Sequence, residues 1–384
     1  MQAIVKQRPA PGLTVTTVPK PSAGPGEVLI RVRHAGVCGT DLHIADWDAW
    51  AQGRLKPPVV VGHEFAGEIV ALGDGVTELK VGQLVTAEGH IVCGHCLQCR
   101  TGNGHICRNT RIIGVDRDGA FAEFIAMPAT NVLALDGIPT EIGAIMDPMG
   151  NAFHAVLTAD VQGSSVFVVG CGPIGCFAVG IARAAGATTV IASDVNEKRL
   201  ALARRMGAHV TINAATDDVV RTVLDATGGE GADVVCEMSG VPSALHQAFA
   251  AVRLGGRVQL LGIPKGEVPV DFATEIIFKG ITVYGVIGRR MYDTWHQMRR
   301  YLTAGLLDPR PVITHQFPLA KVDEALAAIR AGDAGKIILE IALRSEPGSR
   351  PRSSSSSATA CTSASITSNS RKPQEPRCKD VARW

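Results

Sequence analysis

Four cysteines lie in one short loop, and their spacing constrains the fold more than any other feature of the chain. Cys93, Cys96, Cys99 and Cys107 follow the pattern C-x2-C-x2-C-x7-C within fifteen residues. Zn²⁺ accepts four sulfur ligands in a tetrahedron without needing a particular d-electron geometry, so the pattern predicts a closed zinc site. A closed site of this kind is structural: it holds a lobe in shape and leaves no open position for chemistry.

Disulfide bonds and an iron–sulfur cluster are the alternatives for such a loop. The chain begins with the strand-like MQAIV and carries no apolar stretch typical of a secretory signal, so we expect a cytoplasmic protein with reduced thiols. No apolar run reaches the roughly 18 residues that a membrane span needs, and we expect no membrane association. Zinc is therefore favoured.

The charge is distributed unevenly along the chain. Residues 345–384 hold seven basic side chains, three acidic ones and eleven serines, so residues 1–344 carry −2 of an overall net charge of +2. A body with this balance gives no sign of a nucleic-acid surface. The Ser/Arg-rich segment can bury too little apolar area to offset its ordering entropy, and we predict that it is disordered.

The pattern of apolar residues changes near residue 150. Residues 1–147 are rich in glycine, proline and short β-branched runs, which predicts an all-β, barrel-like lobe with functional loops. Further on, strand-like runs alternate with helical patterns, which predicts a parallel, doubly wound sheet. The strand-like runs lie at 165–170, 189–193, 210–212, 233–236, 257–262 and 281–284. Two helical patterns follow residue 292, and a final strand, GKIILEIAL, is expected to return to the first lobe.

A glycine-rich turn follows the first strand of the second region. The turn has the pattern G-x-G-x-x-G, formed by Gly170, Gly172 and Gly175. It lies between that strand and a helix, which is the position that a dinucleotide-binding fingerprint requires. Asp194 ends the next strand, where a carboxylate accepts hydrogen bonds from the adenosine ribose and repels a 2′-phosphate. Arg199 follows and works against this exclusion of NADP. The predicted cofactor is nicotinamide-based, with NAD⁺ favoured.

A second group of chemically active side chains lies upstream. Cys38, Thr40 and His43 are followed by His63 and Glu64. Taken alone, a cysteine and a distant histidine indicate only a buried thiol and a surface imidazole. In company with the cysteine loop and the fingerprint, the segment GHEFAGEIVALGDGV closely resembles the zinc signature of the medium-chain alcohol dehydrogenases. The order of motifs resembles that superfamily over residues 1–344.

Within the superfamily the chain is similar to the L-threonine 3-dehydrogenase family. The resemblance is carried by CGTDLHIADWDAW (38–50), VVGHEFAGEIV (60–70), AEGHIVCGHCLQCRTGNGHICRNT (87–110), DPMGNAFH (147–154), LGIP (261–264) and GVIGRRMY (285–292). The WDxW, EGH and DPxGNA segments are its most selective parts. Residues 345–384 depart from the pattern.

The resemblance implies a role for each matching residue. Cys38, His63 and Glu64 would bind a catalytic zinc, with Asp147 close by in support of a proton relay through Thr40 and His43. The four loop cysteines would hold a structural zinc, making two zincs per subunit, and His90 would help to hold the substrate. The implied cofactor contacts are Ile174, Asp194, Arg199, Leu261, Gly262, Ile263, Val286 and Ile287, beside the fingerprint glycines.

The resemblance also implies an architecture and an activity. The fold expected is α/β, with a GroES-like β-barrel catalytic domain (1–147 and 291–344) and a doubly wound Rossmann domain (148–290) that binds NAD⁺. The expected reaction is oxidation of L-threonine at C3 to L-2-amino-3-oxobutanoate, the first step of threonine catabolism, in a homotetramer. The alternatives are a zinc-dependent polyol or secondary-alcohol dehydrogenase and a non-catalytic NAD(H)-binding regulator that has lost its metal.

Overall fold

The computed structural model describes residues 1–332 and 334–342. The segment 345–384, predicted to be disordered, lies outside the described residues. The strands are β1 (Gln2–Lys6), β2 (Thr14–Thr17), β3 (Glu27–Val37), β4 (Val59–Val60), β5 (Glu64–Leu72), β6 (Leu84–Ala87), β7 (His90–Ile91), β8 (Arg111–Ile112), β9 (Phe124–Pro128), β10 (Val132–Ala134), β11 (Ser165–Val169), β12 (Thr189–Asp194), β13 (Val210–Asn213), β14 (Ala232–Glu237), β15 (Val252–Leu260), β16 (Thr282–Gly285), β17 (Ile313–Pro318) and β18 (Lys336–Glu340).

The helices are α1 (Gly39–Asp46), α2 (Ala49–Arg54), α3 (Leu97–Arg100), α4 (Thr140–Gly143), α5 (Met146–Leu157), α6 (Pro173–Ala184), α7 (Glu197–Arg205), α8 (Val219–Ala226), α9 (Pro242–Ala251), α10 (Asp293–Thr303) and α11 (Val322–Arg330). Single turns of other helix types join several of them. Within residues 1–332 and 334–342, no helix is long and apolar enough to cross a bilayer.

The long strand β3 organises the first lobe. Its sheet runs in the order β10-β6-β5-β3-β18-β17, and β9 also pairs with β3. Val28, Ile30 and Val32 point into the core of the lobe and are fully buried, as expected for β-branched residues at alternate positions. Strand β18 pairs antiparallel with the end of β3, which confirms that the last strand returns to this lobe.

Four short helices, α1 to α4, interrupt this lobe, where the sequence predicted strands and functional loops. Helix α1 begins because Asp41 Oδ2 accepts a hydrogen bond from the backbone N–H of Cys38 at 2.9 Å, one half of a capping box. Helix α2 begins at Asp48, whose Oδ1 accepts from the N–H of Ala51 at 3.0 Å. The prediction of an all-β lobe was therefore wrong in the segment that follows Cys38.

The second sheet is entirely parallel and runs in the order β13-β12-β11-β14-β15-β16. Numbered from its first strand, this is the 3-2-1-4-5-6 order of a doubly wound dinucleotide-binding sheet, so the predicted α/β fold class is confirmed. The order reverses between β11 and β14. Ligands of such sheets bind where the carboxyl ends of those two strands meet.

One apolar cluster spans the two sheets, beside the separate core that each sheet has of its own. A single cluster of buried side chains includes Ala66 of β5, Phe153 of α5, Val168 of β11 and Ile338 of β18. Helix α5 therefore packs against both sheets. Asp147, in its first turn, is carried to the boundary between them.

Candidate active site

Cys38, His63 and Glu64 meet inside the first lobe. Cys38 follows β3 and is the N-cap of α1, while Glu64 begins the neighbouring strand β5 and His63 directly precedes it. The Cys38 Sγ lies 3.6 Å from His63 Nε2, and one donor atom from each of the three residues lies within 4.8 Å of the others. His63 is partly buried and Glu64 is buried. The structure thus brings together the three residues predicted to bind a catalytic metal.

A glycine makes this approach possible. Gly62 has φ +89°, a conformation that costs about 1–2 kcal/mol for a residue with a Cβ. A Cβ there would also lie 2.2 Å from Cδ1 of Phe121, so the turn before His63 accepts only glycine. Gly36 on β3 likewise leaves room for the side chain of Glu64, because a Cβ on Gly36 would lie 2.2 Å from Oε2 of Glu64.

The electrostatics of the three residues fit a divalent cation. Burial raises the pKa of the Cys38 thiol, and Asp41 adds to this effect. Burial also raises the pKa of Glu64, which means that the protein's own groups do not fully stabilise either anion. His63 Nδ1 is buried without a hydrogen-bond partner in the described part of the chain. A thiolate, an imidazole and a carboxylate are ligands that zinc accepts, so this donor set fits zinc.

The sequence did not predict the ion-pair partner of Glu64. The ammonium of Lys336, at the start of β18, forms an ion pair with Glu64, and the two side chains are 3% and 2% exposed. Burial by itself would lower the pKa of Lys336, but Glu64 and Cys38 reverse the effect and raise it. A lysine before an apolar run ordinarily faces solvent, so the pattern alone predicts an exposed side chain.

Glu88, His90 and Asp147 form a second group beside the first. Their oxygen and nitrogen atoms lie within 4.8 Å of one another, and the buried guanidinium of Arg289 lies among them. Arg289 forms ion pairs with Glu88 and with Asp147, at 2.7 Å in the second case. His90 Nδ1 lies 2.8 Å from a Glu88 oxygen, and Trp295 Nε1 donates to the other oxygen at 2.8 Å.

This group links the two lobes chemically. Glu88 follows β6, whereas Arg289 follows β16 of the parallel sheet and directly succeeds the predicted cofactor residues Val286 and Ile287. Asp147 also acts on the first group. Burial lowers the pKa of His63, but Cys38 and, more weakly, Asp147 reverse this and raise it. Burial raises the pKa of Glu64, and Asp147 adds to that effect while Lys336 opposes it. Neither Glu88 nor Arg289 was among the predicted site residues, although both lie in segments that carry the family resemblance.

Thr40 and His43 occupy helix α1, three residues apart. Cys38 is the N-cap of this helix, so Thr40 lies in its first turn. Residues at this spacing share one face of a helix. His43 is half-exposed, and its Nδ1 lies 2.5 Å from Oδ2 of Asp48.

The cysteine loop forms a small lobe closed at its base by the pairing of β7 with β8. The Sγ atoms of Cys96 and Cys99 are 3.5 Å apart, those of Cys96 and Cys107 3.8 Å, and those of Cys107 and Cys93 3.6 Å. These distances exclude disulfides, whose sulfurs are about 2.05 Å apart. Four sulfurs bound at about 2.3 Å around one tetrahedral ion would be about 3.8 Å apart. The backbone N–H groups of the loop lower the pKa of Cys93 to about 5, which favours the thiolate that zinc requires.

A cavity of about 290 Å³ opens at the switch point of the parallel sheet, with Gly170, Gly172, Asp194 and Arg199 in its wall. Gly170 has φ +92°, and a Cβ on Gly175 would lie 1.8 Å from the carbonyl oxygen of Gly170, so the turn is as tight as the fingerprint predicts. A Cβ on Gly172 would meet open space, which leaves the start of α6 accessible to a ligand. The free N–H groups there favour an anion such as a pyrophosphate.

Asp194 is held in place by the backbone. Its Oδ2 accepts from the N–H of Cys171 at 2.8 Å, and its Oδ1 accepts from the N–H of Asn196 at 2.9 Å. Arg199 Nη1 lies 3.9 Å from Oδ2. The other predicted cofactor residues do not line this cavity: Ile174, Gly175, Leu261, Gly262, Ile263, Val286 and Ile287. Of these, Ile263 and Ile287 are exposed, and they follow β15 and β16 at the same end of the sheet.

Comparison with known families agrees with this architecture. The family described as alcohol dehydrogenase GroES-like domain matches residues 24–137, and the zinc-binding dehydrogenase family matches residues 173–304. The L-threonine 3-dehydrogenase of Bacillus licheniformis is 48% identical over 340 residues, covering 88% of this chain and 98% of that protein. That of Pyrococcus horikoshii is 46% identical over 340 residues, with the same coverage of both chains.

Solved structures of zinc-type dehydrogenases have the same fold. The alcohol dehydrogenase TADH from Thermus sp. ATN1 has a TM-score of 0.82 at 29% identity, covering 89% of this chain and all of the other. A Sinorhizobium meliloti protein described as a zinc-binding dehydrogenase, solved with NADP bound, has a TM-score of 0.82 at 30% identity, covering 88% of this chain and 98% of the other. With the buried donor cluster, the cysteine lobe and the dinucleotide cavity in place, the chain belongs to the L-threonine 3-dehydrogenase family of zinc-binding dehydrogenases.

Proposed function

We propose that this protein oxidises L-threonine at C3 with NAD⁺, giving L-2-amino-3-oxobutanoate, NADH and a proton. Relatives named for this activity that span almost the whole described chain support the assignment. In the reaction the C3–H bond breaks and its electron pair passes to NAD⁺ as hydride. The hydroxyl proton leaves, and the C3–O bond becomes a carbonyl.

The observation that carries the proposal is the adjacency of two buried groups. The donor triad Cys38, His63 and Glu64 lies within electrostatic reach of Asp147, and Asp147 is tied through Arg289 to the group that holds His90. The His90 side chain is 24% exposed, while that of Glu88 is fully buried. The imidazole is therefore the part of this group that a substrate can reach.

Cys38, His63 and Glu64 would hold one zinc, and the four loop cysteines would hold a second, making two per subunit. When bound at the first site, zinc acts as a Lewis acid that makes a substrate hydroxyl more acidic. The three side chains keep that site dry and fixed on two neighbouring strands of one sheet. The closed cysteine site contributes folding energy instead.

The cofactor would lie across the carboxyl ends of β11 and β14. The turn at Gly170 and Gly172 would accept the pyrophosphate, and Asp194 would accept hydrogen bonds from the ribose hydroxyls. The carboxylate of Asp194 would repel a 2′-phosphate, which supports NAD⁺ over NADP⁺. Leu261, Gly262, Ile263, Val286 and Ile287 would line the path of the nicotinamide half.

Proton transfer would use helix α1. Thr40 has a hydroxyl that both donates and accepts, and His43 is half-exposed, so the pair can move a proton from the dry site to solvent. Asp147 would support this relay by its charge. His90 would help to hold the substrate at the edge of the Glu88 group.

We further propose the assembly and its setting. The catalytic domain would comprise residues 1–147 and 291–344, and the NAD-binding domain residues 148–290. The expected assembly is a homotetramer in the cytoplasm. Strand β16 lies at the edge of the parallel sheet, so its outer side could pair with another subunit. Apolar side chains near it support such an interface: Phe272, Ile277 and Phe278 are 64%, 66% and 78% exposed. Native mass spectrometry of the zinc-loaded protein tests the assembly, and a monomer would contradict it.

A substrate panel tests the reaction. We expect the zinc-loaded protein to reduce NAD⁺ with L-threonine at a higher kcat/KM than with sorbitol or 2,3-butanediol, and to prefer NAD⁺ to NADP⁺. A preference for sorbitol or butanediol would replace the proposal with a polyol or secondary-alcohol dehydrogenase. No turnover with any substrate, combined with fewer than two zincs per chain, would instead support an NAD(H)-binding regulator.

A further inference from the structure

We propose that Asp48 is a positioning residue for His43, which it holds with Nε2 available to take the proton delivered by Thr40. The inference rests on the proposed relay and adds a residue to it. The carrying observation is the contact of 2.5 Å between Asp48 Oδ2 and His43 Nδ1.

Asp48 is itself fixed by helix α2. As the N-cap, its other oxygen, Oδ1, accepts from the N–H of Ala51 at 3.0 Å, so both oxygens have defined partners. The hydrogen bond from Ala51 and then the one from His43 lower the pKa of Asp48, which keeps it a carboxylate. The Trp50 ring, on the same helix, lies with its centroid 6.0 Å from that of His43. One short helix therefore presents both neighbours of the imidazole.

The chemical consequence follows from the two nitrogens of histidine. A carboxylate only accepts hydrogen bonds, so the neutral imidazole places its proton on Nδ1 and leaves the lone pair on Nε2. Nε2 can then accept a proton from the Thr40 side. The imidazolium that results has a negative charge beside it, which stabilises the loaded state of the relay.

Other charged groups on the packed segments have partners of their own. On α1, Asp41 accepts from the N–H of Cys38, and Asp46 pairs with Arg330 at 2.5 Å. On α2, Arg54 pairs with Asp116 at 2.6 Å. Lys6, which lies over the Trp47 ring at 5.0 Å, donates to the carbonyl oxygen of Ala10 at 2.6 Å. Among the described residues, Asp48 is thus the charged side chain that pairs with His43.

The substitution Asp48→Asn tests the proposal without disturbing the helix. Asparagine is as good an N-cap as aspartate, so α2 keeps its first hydrogen bond while the charge beside His43 disappears. Because the pair is half-exposed, we expect kcat with L-threonine and NAD⁺ to fall about two- to fivefold. Asparagine can donate as well as accept a hydrogen bond, so the imidazole is no longer held with its proton on Nδ1 and Nε2 free.

Two controls separate positioning from capping. Asp218 caps α8 by the same contact, accepting from the N–H of Arg221 at 3.0 Å, so Asp218→Asn should leave kcat unchanged. In a His43→Gln background, Asp48→Asn should have no further effect on kcat. A further decrease there would show that Asp48 acts by another route and would overturn the proposal.

A measurement independent of turnover completes the test. In ¹⁵N-histidine-labelled, zinc-loaded protein, the ring-nitrogen NMR signals of His43, assigned by their loss in His43→Gln, should report the Nδ1–H tautomer in the wild type and a smaller share of it in Asp48→Asn. Equal tautomer populations would overturn the positioning role even if L-threonine is the substrate. Absence of threonine oxidation with a changed tautomer population would contradict the proposed function and leave the Asp48–His43 coupling standing.

Discussion

Lys336 and Glu64 form an ion pair sealed inside the first lobe, with side chains 3% and 2% exposed. Lys336 begins β18, whereas Glu64 lies next to His63 in the group proposed to bind zinc. The C-terminal part of the chain thus supplies the counter-charge for a carboxylate of the candidate active site.

Removing one member of this pair should destabilise the metal-free protein strongly. Lys336→Met leaves Glu64 as an uncompensated buried charge, and we expect the free energy of unfolding in urea at pH 7 to fall by about 3–5 kcal/mol. Adding Glu64→Gln should restore most of the loss. Lys321→Met is the matched control, because its partner Glu324 is exposed and such pairs contribute at most about 1 kcal/mol. Equal stability of Lys336→Met and wild type would contradict the assignment.

The two metal-binding groups should respond differently to loss of a thiolate. Cys38→Ala should abolish threonine oxidation while the melting temperature stays near that of the wild type. Cys96→Ala should mainly lower the melting temperature, because a structural zinc stabilises the fold. Metal analysis should find about one zinc fewer per chain in each variant. Loss of activity with an unchanged melting temperature in both variants would rule out separate catalytic and structural roles for the two groups.

Glu88 should make stability depend on acidic pH. Burial opposes its ionisation, but Arg289 and His90 together outweigh burial and hold the pKa of Glu88 well below its usual range. A carboxyl with a depressed pKa contributes fully above its unfolded value of about 4.3, and the contribution is lost as pH falls through the folded value. We therefore expect the free energy of unfolding to decline below about pH 4.3, and to decline less steeply in Glu88→Gln. Identical slopes in urea titrations at pH 6, 4 and 3 would refute this.

The turn before His63 should tolerate no side chain. Gly62→Ala combines a left-handed backbone with an overlap on Phe121, and we expect it to lose about 3 kcal/mol of stability or more. Gly75→Ala is the control, since Gly75 has φ +81° with open space around its Cβ position, and should lose about 1–2 kcal/mol. Similar losses in the two variants, measured by urea unfolding, would mean that Phe121 moves aside.

Motifs whose members are close in sequence were predictable. The spacing of Cys93 to Cys107 brings four sulfurs together in one lobe, and the turn at Gly170 follows the first strand of a sheet in the predicted order. Local chemistry decides both, because a short loop or a single strand–turn–helix unit contains every residue required. The roles of these residues toward zinc and NAD⁺ stay predictions.

Partners distant in sequence were not predictable. Arg289 reaches Glu88 only because β16 and β6 end on facing sides of the boundary between the sheets, and no local pattern encodes that encounter. The helices after Cys38 did have a signal in the sequence, because aspartate is a good capping residue. Asp41 lies three residues after Cys38, whose N–H it binds, and Asp48 lies three residues before Ala51, whose N–H it binds. The strand-like composition of the surrounding lobe outweighed it.

The position of β18 has a consequence for biosynthesis. A chain emerging from the ribosome exposes Cys38, His63 and Glu64 in its first fifth, long before Lys336 is translated. Until then β3 lacks its β18 neighbour beside Cys38, and Glu64 lacks its buried ammonium. The three donors therefore meet cellular metal ions before the protein can offer its own cation, so the last strand closes a site that zinc has already had the opportunity to enter.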